Sequence, residues 1–172
     1  MLVEGWIDVH AHFYPPESEE QIQARFEAMK QACWTSAAPP RWDPESTLAY
    51  MDRTGIAMQM LSNVPKKLPA LRSSNDYGAS LVRQHPSRFG LLAALPTDDP
   101  TAALEEIDRA YGDLHADGFT VTCQYNGVYL SDPRAGTDLA GARPAQGRGV
   151  RAPRRIRTRR DGSSRGADRG GL

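Results

Sequence analysis

From Trp6 to Gln124 the sequence switches repeatedly between a two-residue and a helical hydrophobic period, and this alternation leaves few folds open. Trp6 to His12 reads as a strand, with Trp6, Asp8, His10 and His12 on one face and Ile7, Val9 and Ala11 on the other. Ser18 to Cys33 turns helical, with Ile22, Phe26, Met29 and Cys33 on one stripe. Asp43-Pro44 supplies a cap and a first helical residue, Leu48 and Met51 an apolar side, and Gly55 a stop. Ile56 to Val64 is a buried-looking strand. Ser74 is placed to cap a helix that runs to about His85, and Phe89 to Leu95 is a short apolar strand. Asp99-Pro100 repeats the cap-then-proline start. Leu104, Ile107, Ala110 and Leu114 form the inner stripe of the helix that follows, with Glu105, Glu106 and Asp108 outside. Phe119 to Gln124 closes the series as a fourth strand.

Strands that alternate with helices run parallel and are joined by right-handed crossovers. A doubly wound sheet and a (β/α)8 barrel both begin this way. No strand is followed by a glycine-rich phosphate loop, which removes the main signal of the dinucleotide-binding open sheet. His10, His12, Asn63 and Gln124 instead gather at strand ends, where barrels place their chemistry. The expected fold is therefore α/β, an incomplete (β/α)8 TIM barrel. Four strands are present where eight are needed, in a fold that usually takes about 250 residues.

Charge marks the limit of the pattern. The 172 residues have a formal net charge of zero, but residues 1–133 sum to −8 and residues 134–172 to +8. All 13 aromatic residues lie at or before Tyr129, and 8 of the 15 glycines lie in the basic piece. Such a piece buries too little apolar surface to offset its ordering entropy, so residues 134–172 read as a disordered tail. No apolar run reaches the roughly 20 residues of a membrane span. The first residues lack the pattern of a secretory leader, and two cysteines are too few for a disulfide framework. A cytoplasmic location with reduced thiols is expected.

His10-Ala11-His12 is the strongest local signal for chemistry. Two imidazoles at i and i+2 of a strand point the same way, so both Nε2 atoms can reach one metal ion. The same spacing also occurs in polar surface strands. Asp8, on the same face, could orient a ligand histidine or add a carboxylate. His85 and His115 end helices, where the helix dipole accounts for them. Asn63 faces a substrate or caps a turn.

Asp8-Val9-His10-Ala11-His12-Phe13 resembles the first-strand motif of the metal-dependent amidohydrolase superfamily. Trp42-Asp43-Pro44-Glu45, Met51-Asp52 to Gly55-Ile56, Leu61 to Pro65, His85-Pro86, Arg88-Phe89 and Ala94-Leu95-Pro96 resemble its aminocarboxymuconate-semialdehyde decarboxylase branch. Asp117-Gly118 and the stretch from Tyr125 to Pro133 resemble 6-methylsalicylate-decarboxylase-like members. The likeness covers about residues 5–134. It implies a divalent metal, commonly zinc, with His10 and His12 as first-strand ligands. It also implies non-oxidative removal of CO2 from an aromatic or unsaturated carboxylic acid, or hydrolysis in some members, with a basic residue of the early loops holding the substrate carboxylate; Arg41 beside Trp42 is a candidate for that role, or is a solvated loop arginine. Further ligands of that family follow the fifth, sixth and eighth strands, which have no counterpart here.

The likeness stops after Pro133. A reading-frame shift near Arg134 is the favoured explanation, since GC-rich DNA read out of frame yields Arg, Ala, Gly and Pro, and the chain is then expected to be truncated and inactive. Two other readings stand beside it. The cluster Arg154-Arg155, Arg157 and Arg159-Arg160 could bind nucleic acid, although no aromatics are interleaved for stacking. Alternatively, two half-barrels could close as a homo-oligomer.

Overall fold

The computed structural model describes residues 5–133. The predicted tail, its disorder and its arginine cluster lie outside the described residues. The order of elements is β1 (Trp6–His12), α1 (Glu19–Gln31), α2 (Pro44–Thr54), β2 (Ile56–Ser62), α3 (Leu68–Gln84), β3 (Phe89–Ala94), α4 (Pro100–Gly112), β4 (Gly118–Thr120), β5 (Gln124–Tyr125) and β6 (Val128–Tyr129). Strands β1 to β4 are all parallel and lie side by side in sequence order. A doubly wound sheet reverses strand order at a switch point. Sequential order with helical crossovers is the arrangement of the first half of a (β/α)8 barrel, as expected from the sequence.

Local chemistry sets the helix boundaries. Ser18 and Gln21 form a reciprocal capping box on α1. The Asp43 carboxylate accepts the Ser46 N–H at 2.7 Å, and this bond holds it below the usual carboxylate range. Asp99 caps α4 by accepting the Ala102 N–H at 3.0 Å. Gly55 ends α2 at φ +75°, a left-handed conformation that costs a β-carbon about 1 kcal/mol or more. Gly55→Ala is therefore expected to lower stability by about 1 kcal/mol, read as a lower urea midpoint at unchanged m-value.

Several expectations are corrected. Helix α3 begins at Leu68 rather than after Ser74, because Pro69 suits a first turn; Ser74 is fully buried inside the helix and accepts a hydrogen bond from Asn63. Cys33 falls past the end of α1 and is exposed at φ +61°. The fourth strand ends at Thr120, and Gln124 opens a separate hairpin. Asn126 (φ +48°) and Gly127 (φ +82°) form its two-residue loop, the left-handed pair that tight hairpins favour. Glu106, predicted on the outer face of its helix, is fully buried.

The core lies where the sheet meets its helices. Ala11, Phe13, Met51, Leu61, Leu81 and Phe89 form its centre, with Trp42 and Tyr77 packed against it. Burial, then the charge of Asp43, raises the Tyr77 phenol above its ordinary value. A smaller cluster joins Leu71, Ala94 and Tyr125, so the hairpin docks on the end of β3. Among the described residues β1 is a sheet edge, and its apolar side is largely uncovered. Ala11 is buried, but Val9 is 67% exposed and Ile7 43%.

Candidate metal centre

Strand β1 carries both histidines at its C-terminal end. His10 Nε2 and His12 Nε2 lie 3.2 Å apart, with the rings edge to face. Two lone pairs approach this closely only around a shared proton or a cation. Two nitrogens about 2.1 Å from one tetrahedral ion stand about 3.4 Å apart, so the pair fits a single metal. The Ser62 carbonyl stands 3.4 Å from His12 Nδ1. A proton on that nitrogen leaves Nε2 as the donor, the usual arrangement of a ligating imidazole. The fit stops at two donors: among the described residues no group of three His, Cys, Asp or Glu side chains converges.

Asp8 shares one cleft with His10 and His12, on the side where strict alternation puts it. Between the pairs Asp8–Gln59 and Ala11–Leu61, β1 holds one residue more than β2. Asp8 precedes this bulge and stands in register with Gln59. Its Oδ1 accepts the His10 backbone N–H at 3.0 Å, and its Oδ2 accepts Gln59 Nε2 at 3.2 Å. Asp8 thus holds the backbone of a candidate ligand.

A cleft of about 370 Å³ runs along these residues, within the usual range for small-molecule pockets. Asp8, Gln59, His10 and His12 form one wall. Arg41, Trp42, Thr47 and Tyr50, from the loop before α2 and its first turns, form the other. Arg41 thus lines the same cleft as the two histidines. Its guanidinium grips Glu19 through two hydrogen bonds of 2.7 and 2.5 Å. That contact lowers the Glu19 carboxyl and raises the Arg41 guanidinium from their ordinary values. Asn63 is not brought to the cleft. Its amide donates to Ser74 Oγ at 3.0 Å and ties the end of β2 to α3.

Gln59 was missed by the sequence reading. A lone amide inside the apolar run Ile56-Ala57-Met58-Gln59-Met60-Leu61 was the available signal. His85 packs edge-on against Phe89 at the end of α3, and His115 follows α4, so neither joins the pair.

A parallel half-barrel with a converging His-x-His at its first strand end defines a class, and comparison with known proteins gives the particular family. The sequence matches the amidohydrolase family over residues 7–150, and the chain belongs to it. The family read from the motifs is borne out, while the match extends to residue 150, beyond the end at Pro133 that the motifs gave. The chain is 39% identical over 141 residues to a decarboxylase of Aspergillus niger, covering 71% of this chain and 36% of that protein. It is 29% identical over 136 residues to the 6-methylsalicylic acid decarboxylase of Penicillium expansum, covering 69% and 39%. It thus spans under two-fifths of the length of these relatives. A crystal structure of a dihydroxybenzoic acid decarboxylase from Polaromonas, with bound manganese and 2-nitroresorcinol, matches with a TM-score of 0.55 at 27% identity, over 69% of this chain and 38% of that one. No helix among the described residues is long and apolar enough to cross a membrane.

Proposed function

We propose that residues 5–133 form the metal-binding first half of a non-oxidative carboxy-lyase that acts on a small aromatic carboxylic acid. The carrying observation is the 3.2 Å approach of His10 Nε2 to His12 Nε2 on the first strand of an amidohydrolase-family half-barrel. Carboxy-lyase stands ahead of hydrolase because the relatives described above are decarboxylases. His10 and His12 hold the metal. Imidazole donors suit zinc, whereas the Polaromonas enzyme holds manganese; metal analysis of the purified chain distinguishes them. A bound divalent ion supplies Lewis-acid polarisation of substrate oxygens.

In the proposed reaction the bond between ring carbon and carboxylate breaks. Its electron pair stays on the ring carbon, which takes a proton, and CO2 leaves. Arg41 orients the acid at the cleft rim through its planar fork, which matches a carboxylate. Glu19 occupies that fork in the structure and exchanges with the substrate carboxylate. Arg41→Gln is expected to weaken binding of a hydroxybenzoate by at least about tenfold, and Glu19→Gln to tighten it, both read by calorimetry. Equal affinity in all three proteins removes Arg41 from the reading.

A catalytic site needs about three protein donors, and the described residues bring two. The proposal for this chain is accordingly metal binding without turnover, in a reducing compartment that suits its free, exposed Cys33 and Cys123. The test is metal content together with CO2 release from 2-hydroxybenzoates by the full chain. Bound metal with no CO2 is the expected result. Folded protein that binds no divalent metal overturns the site, and CO2 release overturns the inactivity.

A further inference from the structure

We propose that Gln59 is a positioning residue that sets the spacing of the two histidines, acting through Asp8 on the His10 backbone. The inference rests on the reading of His10 and His12 as metal donors. Gln59 sits in the middle of an apolar strand and is only 7% exposed. Burying a primary amide costs free energy unless it is hydrogen-bonded, and no packing need calls for an amide between Met58 and Met60. Its Nε2 donates to Asp8 Oδ2 at 3.2 Å, across the β1–β2 pair. The other oxygen of the same carboxylate accepts the His10 N–H at 3.0 Å. Asp8 is thereby held at both oxygens, from one side by the neighbouring strand and from the other by the bulge.

The bulge explains why this matters. In a regular strand, side chains at i and i+2 stand about 6.6 Å apart along the chain, two rises of about 3.3 Å. The rings of His10 and His12 nevertheless converge to 3.2 Å at Nε2. The extra residue between the Asp8–Gln59 and Ala11–Leu61 pairs re-aims His10 toward His12, as bulges beside active sites do. His12 has its own anchor at the Ser62 carbonyl. For His10 the anchor is the chain Gln59 to Asp8 to backbone N–H. Without Gln59 the carboxylate is free to turn, and the bulge loses its support from β2.

The test uses the full chain with Zn²⁺ as probe, in chelator competition, and with Co²⁺ absorption as a spectroscopic readout of ligand geometry. Gln59→Leu keeps the volume and removes the donor. It is expected to weaken Zn²⁺ binding by about 10- to 100-fold, the usual effect of losing a group that orients a ligand, and to change the Co²⁺ spectrum. Asp8→Ala breaks the same chain from its other end. Combined with Gln59→Leu it is expected to add less than the product of the two single losses, because both act through one contact. The His10 amide should exchange faster with deuterium in either variant, with or without metal. Zn²⁺ affinity within twofold of the unmodified chain, or fully multiplicative losses, overturns the proposal. If the unmodified chain binds no metal, the metal reading itself fails, and an unchanged His10 exchange rate in Gln59→Leu then overturns the positioning as well. Gln59→Met serves the same comparison if the leucine variant does not fold.

Discussion

His10→Ala is expected to lower the affinity of the chain for Zn²⁺ by at least about 100-fold, beyond the 10- to 100-fold typical of losing a group that merely supports a ligand. The size follows from the donor count. With two imidazoles at 3.2 Å the ion gains two protein bonds for one ordering cost, and with one it is held no better than by a surface histidine. His12→Ala should behave alike, although the anchors of the two differ. Both side chains are exposed at the strand end, so neither substitution opens a cavity and the metal-free stability, measured by urea unfolding, should stay within about 0.5 kcal/mol of the parent. His85→Ala and His115→Ala complete the experiment. Neither residue lies in the cleft, and neither change should alter metal affinity. Competition with a chromophoric chelator measures all four. A His85 or His115 variant that loses as much as His10→Ala would place the metal elsewhere.

The half-barrel was legible in the sequence because its signals are local and redundant. Asp43-Pro44 and Asp99-Pro100 start helices where the sequence placed them, and Gly55 ends one. The pairing of His10 with His12 was legible from strand parity. The bulge that follows Asp8 was not legible, because it depends on the register of β1 against β2 and no single strand encodes it. Gln59 was hidden for the same reason, since its partner is 51 residues distant. The Asn126-Gly127 hairpin was missed although its turn residues stand in the sequence, because the extended reading of Phe119 to Gln124 as one strand absorbed its first residue. Glu106 is the clearest failure of periodicity. The sequence gives it the polar side of α4, and only three donors, two on α3 and one on α4 itself, make its burial tolerable. The open apolar face of β1 follows from topology: an edge strand buries its side chains only against elements that reach it.

Glu106→Ala should produce the largest loss of stability in the described residues, about 2–4 kcal/mol. Its carboxylate is fully buried, and both oxygens are engaged. Oε1 accepts Asn75 Nδ2 at 2.6 Å and Arg109 Nη2 at 2.7 Å; Oε2 accepts Arg109 Nε at 2.9 Å and Arg72 Nε at 3.2 Å. Asn75 in turn bonds both the N–H and the carbonyl of Ala94, so one acid ties α4 and α3 to the end of β3. Hydrogen bonding to Glu106, ahead of that to Asp76, holds the Arg109 guanidinium charged well above its ordinary range. Removing one member of a buried pair typically costs about 3–5 kcal/mol. The lower figure applies here because the arginine side chains remain 37% and 24% exposed and regain water, and because Glu105 and Asp76 keep each of them a partner. Glu106→Gln keeps the volume and one acceptor, and should cost about half as much. Stability of a domain this size is about 5–15 kcal/mol, so the alanine variant should lose a large share of it at unchanged m-value in urea. The double variant Glu106→Ala with Arg109→Ala should be less destabilised than the two single losses summed, since both changes remove the same Glu106–Arg109 contact. Additive losses would show that the carboxylate fills space without binding the two arginines together.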